Sequence, residues 1–245
     1  MSVYDREQTI LHLLSDKETM SVKELAGSLY VSEPTVRRDL TRLANKGLVI
    51  RTHGGVTTKS NAADEAFAIS IREQVQSEAK MTIGRQAASL IHDGSVVMMD
   101  GSTSAFAVLP YLTEHKDLIV ITNGAKTSMA LGRMGIKHFC TGGQMINETM
   151  AYVGHHAENM LQGLNADVLL FSARGLTLDG SFSDSSIEEN NLRRVMMSRA
   201  RRRIMLLDSS KIGKRYIDVL CHVDEVTDLL CETPLPPEIQ ALVRR

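Results

Sequence analysis

Apolar residues recur with a helical period in three successive short segments at the N-terminal end of the chain. Tyr4, Ile10, Leu11, Leu13 and Leu14 predict a support helix over residues 4–14. The run Val22-Lys-Glu-Leu-Ala-Gly-Ser-Leu29 predicts a second, with Ser21 as its cap and Glu24 three residues on, the spelling of a capping box. Val36, Leu40 and Leu43, at spacings of four and three, share the buried face of a third helix. Ser32 is its expected N-cap, Pro34 sits in the first turn where a missing N–H costs nothing, and Gly47 stops it. At about 100° per residue, Thr35, Arg37, Arg38, Thr41 and Arg42 fall on the opposite face. Leu48-Val-Ile-Arg51 and Val56-Thr-Thr58 then predict a two-stranded wing turning at Gly54-Gly55. A basic helix alone is usually a solvated face. Two short helices joined at Tyr30-Val31 and followed by a wing form instead the layout that sends the second helix into the major groove of DNA. Ser32, Thr35, Arg37, Arg38, Thr41, Arg42, Arg51 and His53 are therefore expected to face DNA, with Arg37 and Arg38 making most of the contact and Arg42 and Arg51 on phosphates.

Beyond the wing, Lys59-Ser-Asn-Ala-Ala-Asp-Glu65 is polar and small, a linker by composition, and residues 67–91 predict a helix with Ile83, Ala87, Leu90 and Ile91 at core spacing. From Asp93 the pattern changes. Apolar runs at 95–100, 118–122, 136–141, 167–171, 203–208 and 226–231 alternate with helical stretches, which argues for a mostly parallel sheet covered on both faces. Each of the first five runs ends in a small polar cluster. Asp100 leads into Gly101-Ser-Thr-Ser104, Thr122 into Asn123-Gly, Thr141 into Gly142-Gly143, Phe171 into Ser-Ala-Arg174-Gly, and Asp208 into Ser-Ser-Lys211. Ligands of open parallel sheets lie beyond the carboxyl ends of the strands, so these clusters are expected to converge. Glycine permits backbone approach, hydroxyl and N–H groups donate to phosphate oxygens, and Lys211 supplies countercharge.

Charge and composition change this picture little. The 245 residues suffice for a small domain and one of roughly 170–180 residues. Net charge is −1, yet between Glu33 and Lys59 six Lys/Arg face two acids, a local +4 suited to phosphate contact. Arg193, Arg194, Arg199, Arg201, Arg202 and Arg203 are read as the solvated face and basic end of a helix beginning near Ile187. Cys140, Cys221 and Cys231 show no metal-ligand spacing and sit in apolar surroundings. Neither a metal nor a cofactor is expected. Charges interrupt every apolar run short of a membrane span, and a cytoplasmic protein is expected.

Residues 4–58 resemble the winged helix-turn-helix of the DeoR family of bacterial sugar-metabolism regulators. The resemblance is carried by Thr35-Val-Arg37-Arg38-Asp39-Leu40 and Arg51-x-His53-Gly54-Gly55, with Arg6, Ile10, Leu25-Ala26, Val31-Ser32, Leu43 and Gly47 around them. Residues 80–232 resemble that family's effector domain, related in fold to ribose-5-phosphate isomerase, through Asp100-x-Ser-Thr-Ser104, Thr122-Asn123, Gly142-Gly143, Val153-Gly154, Asp184-x-x-x-Glu188 and Asp208-Ser-Ser-Lys211. The resemblance implies a transcription regulator, a repressor of a carbohydrate operon, acting as a homo-oligomer and sensing a phosphorylated sugar or sugar acid. Its implied domains are a DNA-binding domain at 1–58, a linker with a linker helix at 59–79 and an α/β effector domain at 80–245. Ser102, Thr103, Ser104 and Lys211 would hold the phosphate end, with Gly101, Gly142 and Gly143 lining the loops. Asp100, Asn123, Asp184 and Glu188 would take the hydroxyl-bearing end. Arg72 and Lys80 match positions between the two domains and are either interdomain or oligomer contacts or plain solvated charges. Two departures stand out: Arg174 where the family usually has an acid, and Gly124 where it mostly has serine. Arg174 either receives a second anionic group or points outward. An enzyme with a DNA-binding appendage, a sugar-phosphate isomerase or deaminase, is the alternative function, but the isomerase pattern Asp-Gly-x-Asp with Lys-Gly-Gly-Gly is missing.

Overall fold

The computed structural model describes residues 2–17, 19–46, 48–57, 69 and 72–243. It divides into two compact units, Met1–Ser77 and Glu78–Arg245. In the first, α1 (Val3–Lys17), β1 (Thr19–Ser21), α2 (Val22–Leu29) and α3 (Glu33–Asn45) precede the hairpin β2 (Ile50–Thr52) and β3 (Gly55–Thr57). The predicted apolar stripes meet in one core: Ile10, Leu11 and Leu14 of α1 pack with Leu25, Val36, Leu40, Leu43 and Val56. The Ser21–Glu24 capping box starts α2. Tyr30 ends it at φ 53, a left-handed cap whose N–H bonds back to Ala26 and Gly27. Ser32 takes the N-cap position of α3 without a side-chain cap bond, its hydroxyl lying 3.0 Å from that of Thr35.

The wing differs from expectation in two ways. It is a three-stranded sheet of order β1-β3-β2, since Thr19–Ser21 adds to the predicted pair. Its turn is His53-Gly54, because Thr52 already pairs with Gly55. Gly54 has φ +94, and a Cβ on Gly55 would lie 2.5 Å from the Met20 carbonyl oxygen, so the backbone approach of β1 demands glycine there. Val75 packs on this same core and the Gln76 N–H donates to Gln8 at 3.1 Å, so residues expected in the linker belong to the first unit. Gly47 and the linker 59–65 lie outside the described residues.

The second unit opens with α4 (Ser77–Ala88), shorter than the helix expected over 67–91. Then follow β4 (Val96–Met99), α5 (Thr103–Phe106), α6 (Leu109–Leu112), β5 (Ile119–Thr122), α7 (Ala125–Arg133) and β6 (Lys137–Cys140). The hairpin β7 (Gln144–Ile146) and β8 (Ala151–Val153) leads to α8 (His155–Gln162), β9 (Ala166–Phe171), β10 (Gly175–Leu176), β11 (Ser181–Asp184) and α9 (Ile187–Arg199). The chain closes with β12 (Ala200–Leu206), β13 (Asp218–His222), β14 (Asp228–Leu230) and α10 (Pro237–Val243).

Six strands form one parallel sheet of order β14-β12-β9-β4-β5-β6. Both faces are covered, by a cluster around Ile83, Val108, Leu112 and Leu131 and by another around Leu161, Leu192, Met196 and Phe182. This is the α/β architecture expected. The chain enters the sheet at β4, runs outward through β5 and β6, then returns to β9, β12 and β14. Strand order therefore reverses between β4 and β9, the place where loops diverge and leave a crevice. A second, antiparallel sheet of order β10-β11-β13 stands beside it and was not foreseen. Among the described residues no helix is long and apolar enough to cross a membrane.

Candidate functional site

The outer face of α3 carries the expected array. Arg37 leans toward Glu33 at 3.6 Å with both side chains about half exposed, and Arg38 is exposed without an ion pair among the described residues. The Thr41 hydroxyl donates to the Arg37 carbonyl at 2.8 Å and accepts from Arg51 Nη1 at 3.0 Å, which ties the wing to the helix. His53 is exposed at the wing turn. Arg42, expected on DNA phosphates, is engaged within the unit. Its Nε donates to Glu7 at 2.9 Å and its Nη2 to Asp39, while Arg6 Nε reaches Asp39 at 2.8 Å and Lys46 Nζ reaches Glu7 at 2.6 Å. Asp39 is fully buried and Glu7 nearly so, so this guanidinium braces α3 on α1 because two buried acids need cations.

In the second unit the strand tips meet around an arginine that the sequence reading placed in solvent. Arg193 on α9 is buried, with Nε on Asp100 Oδ2 at 2.9 Å, Nη1 on Asp184 Oδ2 at 3.0 Å and Nη2 near Glu189 at 3.7 Å. Nη1 also donates to Asn190 Oδ1 at 2.9 Å. Burial opposes its charge, but Glu189, Asp100 and Asp184 raise its pKa well above the ordinary value. Burial likewise works against ionised Asp184, and Arg193, Arg174 and the N–H groups of Ser185 and Ser186 outweigh it, leaving the carboxyl below its usual range. Asp100 accepts from the Ser102 N–H at 3.1 Å and the Ser172 N–H at 3.2 Å as well. Two of the three acids expected at the hydroxyl-bearing end of a ligand, Asp100 and Asp184, are thus committed to Arg193 and to the loops of β4, β9 and β11. Glu188, the third, is exposed at the start of α9, and it is Glu189 that stands near Arg193.

The polar tips do converge at the β4–β9 crevice. Lys211 Nζ donates to Ser172 Oγ at 2.8 Å and stands 3.5 Å from Asp208, while Ser172 Oγ lies 3.4 Å from Ser104 Oγ and donates to the Leu206 carbonyl at 2.6 Å. Ser102 caps α5 through the Ala105 N–H at 3.1 Å, and Thr103 begins that turn half-buried. Burial raises the Asp208 pKa, and Lys211, Ser210 and Lys80 together bring it below the ordinary value. Lys80 is therefore neither solvated nor outside the unit: it is buried in α4 and acts on the Asp208 tip. Gly101 and Gly124 meet back to back, since a Cβ on Gly101 would lie 2.7 Å from Ala151 Cβ and one on Gly124 would lie 3.1 Å from Gly101 Cα. Gly142 and Gly143, at φ +61 and +111, turn the chain from β6 into the β7 hairpin. Asn123 receives that hairpin, with Nδ2 donating to the Tyr152 carbonyl at 2.9 Å. Its Oδ1 is buried and has no hydrogen-bond partner among the described residues. Arg174 stands beside Asp184, Nε to Oδ1 at 3.2 Å, about a third exposed.

Glu189, Asn190 and Arg193 are site residues that the sequence does not single out, whereas Lys80 and the loop of Ser172 stand out in it without a ligand role. For Arg193 a signal exists: Glu189, Leu192, Arg193, Met196 and Met197 follow the buried stripe of α9, so the arginine shares the face of its apolar neighbours. Among the described residues no group of three His, Cys, Asp or Glu is arranged to hold a metal.

The DeoR-like helix-turn-helix domain family matches residues 6–62, and the DeoR C terminal sensor domain family matches residues 75–233. The chain belongs to the DeoR family. Among DeoR-family relatives, the lactose phosphotransferase system repressor of Staphylococcus epidermidis is 32% identical over 95% of this chain and 93% of its own length. The L-fucose operon activator of Haemophilus influenzae is 30% identical over 96% and 94%. The HTH-type transcriptional regulator GolR of Listeria innocua is 31% identical over 87% and 84%. Of solved structures, the Pyrococcus horikoshii translation initiation factor eIF-2B aligns with TM-score 0.50 at 14% identity, covering 94% of this chain and 86% of that one, a likeness of fold alone. Ribose 5-phosphate isomerase A of Methanocaldococcus jannaschii aligns with TM-score 0.43 at 14% identity over 56% and 55%. Placed in this family, the chain is a DNA-binding transcription regulator with an α/β sensor domain.

Proposed function

We propose that this regulator represses a carbohydrate-metabolism operon by binding its operator as a homo-oligomer, and that a phosphorylated sugar or sugar acid held at the strand tips changes its operator affinity. Arg37, Arg38, Thr35, Ser32 and His53 read or approach DNA, with Arg51 on a phosphate. A two-fold operator needs two reading helices, hence at least a dimer. The observation that carries the ligand reading is the pairing of Lys211 Nζ with Ser172 Oγ at the β4–β9 crossover, 2.8 Å apart, with the Ser104 hydroxyl 3.4 Å from the same Ser172 oxygen. An ammonium with hydroxyl and N–H donors around it suits a phosphate. The names of the relatives, an L-fucose operon activator and a lactose phosphotransferase system repressor, favour a sugar-linked ligand and leave the sign of regulation to experiment. A general base must have a free lone pair over the substrate, whereas the carboxylates of Asp100 and Asp184 are held by Arg193, which argues against sugar isomerisation by either of them.

A thermal-shift screen of the full chain against sugar phosphates and their unphosphorylated sugars tests this reading. One phosphorylated member should raise Tm while its parent sugar does not, because ligand binding stabilises the folded state by mass action. Equal response to phosphorylated and parent sugars, or none, contradicts it.

A further inference from the structure

We infer that the ligand carries a carboxylate as well as a phosphate, and that Arg174 receives it. This rests on the phosphorylated ligand proposed above and narrows its class to a phosphorylated sugar acid. Arg174 is held at its base and open at its tip. Its N–H donates to the Ser183 carbonyl at 3.1 Å, and the following residue, Gly175, has no room for a Cβ, which would lie 2.5 Å from the Lys214 carbonyl oxygen. The side chain stands against Asp184, with Nε 3.2 Å from Oδ1. Asp184 is itself immobilised, with Oδ2 on Arg193 Nη1 at 3.0 Å and Oδ1 accepting the Ser185 N–H at 2.7 Å. The two terminal amines of Arg174 make no hydrogen bond among the described residues, and the side chain is 35% exposed. An arginine pinned at Nε with both Nη groups open presents a planar two-donor fork, the complement of a carboxylate. Asp184 is shared with Arg193, whose Nη1 stands 3.0 Å from its other oxygen.

The position relative to the phosphate end is equally specific. Ser172, which holds Lys211 Nζ, and Arg174 are two residues apart on one loop, so their Cα atoms are at most about 7 Å apart. That separation is comparable to the backbone of a short sugar acid lying across the loop. A neutral aldose end would leave the Arg174 fork without an anion.

Titration calorimetry on the full chain decides this with matched pairs: ribose 5-phosphate against 5-phosphoribonate, glucose 6-phosphate against 6-phosphogluconate, and fructose 1,6-bisphosphate as a second anion of different shape. In at least one pair the acid should bind on the order of tenfold more tightly than the aldose. Arg174→Ala should bring the acid down to the aldose level and leave aldose affinity unchanged, and Arg174→Lys, which keeps the charge and loses the fork, should fall between. The inference is overturned if aldoses bind as well as acids in every pair, if the bisphosphate binds more tightly than either acid, or if the preference survives both substitutions. Binding by none of the phosphorylated compounds would instead remove the phosphorylated-ligand reading beneath it.

Discussion

At the scale of single residues, identical side chains separate by what they touch. Arg42 and Arg51 looked alike in sequence as phosphate contacts, yet Arg42 is bound to the buried carboxylates of Glu7 and Asp39 while Arg51, among the described residues, reaches only the exposed Thr41 hydroxyl. Arg42→Ala should therefore cost about 1–2 kcal/mol of folding stability, between the exposed and buried ion-pair limits, and leave the salt dependence of DNA binding unchanged. Arg51→Ala should leave Tm nearly unchanged and reduce the slope of log affinity against log salt by about 0.9. Chemical denaturation and anisotropy titrations at several salt concentrations separate the two, and a reversal of the effects would return Arg42 to the DNA face. Asp184 and Asp208 give the sensor unit a signature in acid. Both carboxyls are held below their ordinary value of 3.8, so the stability they contribute is complete above that value and is lost as pH falls through the lower folded one. Urea midpoints from about pH 5 downward should fall in the wild type. In Arg193→Met, where Asp184 loses its principal cation, the fall should begin at higher pH. Parallel curves would show that Arg193 does not hold Asp184 ionised.

At the scale of elements, Gly55 makes the clearest prediction. Any Cβ there meets the Met20 carbonyl oxygen, so Gly55→Ala should push β1 from β3 and cost about 1–3 kcal/mol, read as a lower denaturation midpoint. An unchanged midpoint would mean that β1 is not held by this contact. What was legible in the sequence follows from apolar patterning. The three N-terminal helices repeat their apolar period and the six parallel strands lie in apolar runs, and Val36, Leu40 and Leu43 lie on the predicted face. β1 and β11, Thr19-Met-Ser21 and Ser181-Phe-Ser-Asp184, carry one large apolar residue each, and β7, β8, β10 and β13 are too short or too mixed for a period to register. Their loss had consequences for the site. Without β11 nothing in the sequence placed Asp184 against Arg193, and the arginine run was read as solvent-facing. That run is in fact split, Arg193, Arg194 and Arg199 on α9 and Arg201, Arg202 and Arg203 on β12, because the chain turns extended at Ala200. Arg194 pairs with Asp218 and Arg202 with Asp228, partners supplied by elements more than twenty residues away. Convergence of Ser102, Ser104, Ser172 and Lys211 was legible because parallel strands all end on one edge, a rule of topology that needs no side-chain detail.

At the scale of the whole molecule, one chain carries a DNA-binding unit and a sensor unit whose strand tips gather cations and hydroxyls. The central claim is that ligand held at Lys211 alters DNA affinity, and a coupling of ~1–3 kcal/mol corresponds to a 5–150-fold change. The measurement that tests it most directly is operator affinity by anisotropy, at constant ionic strength, as a function of the phosphorylated compound that stabilises the chain, in wild type and Lys211→Ala. The account predicts a saturable change within that range for the wild type, and for Lys211→Ala the same affinity without ligand but no response to it. A wild-type affinity that ignores the bound compound, or a full response in Lys211→Ala, would contradict it.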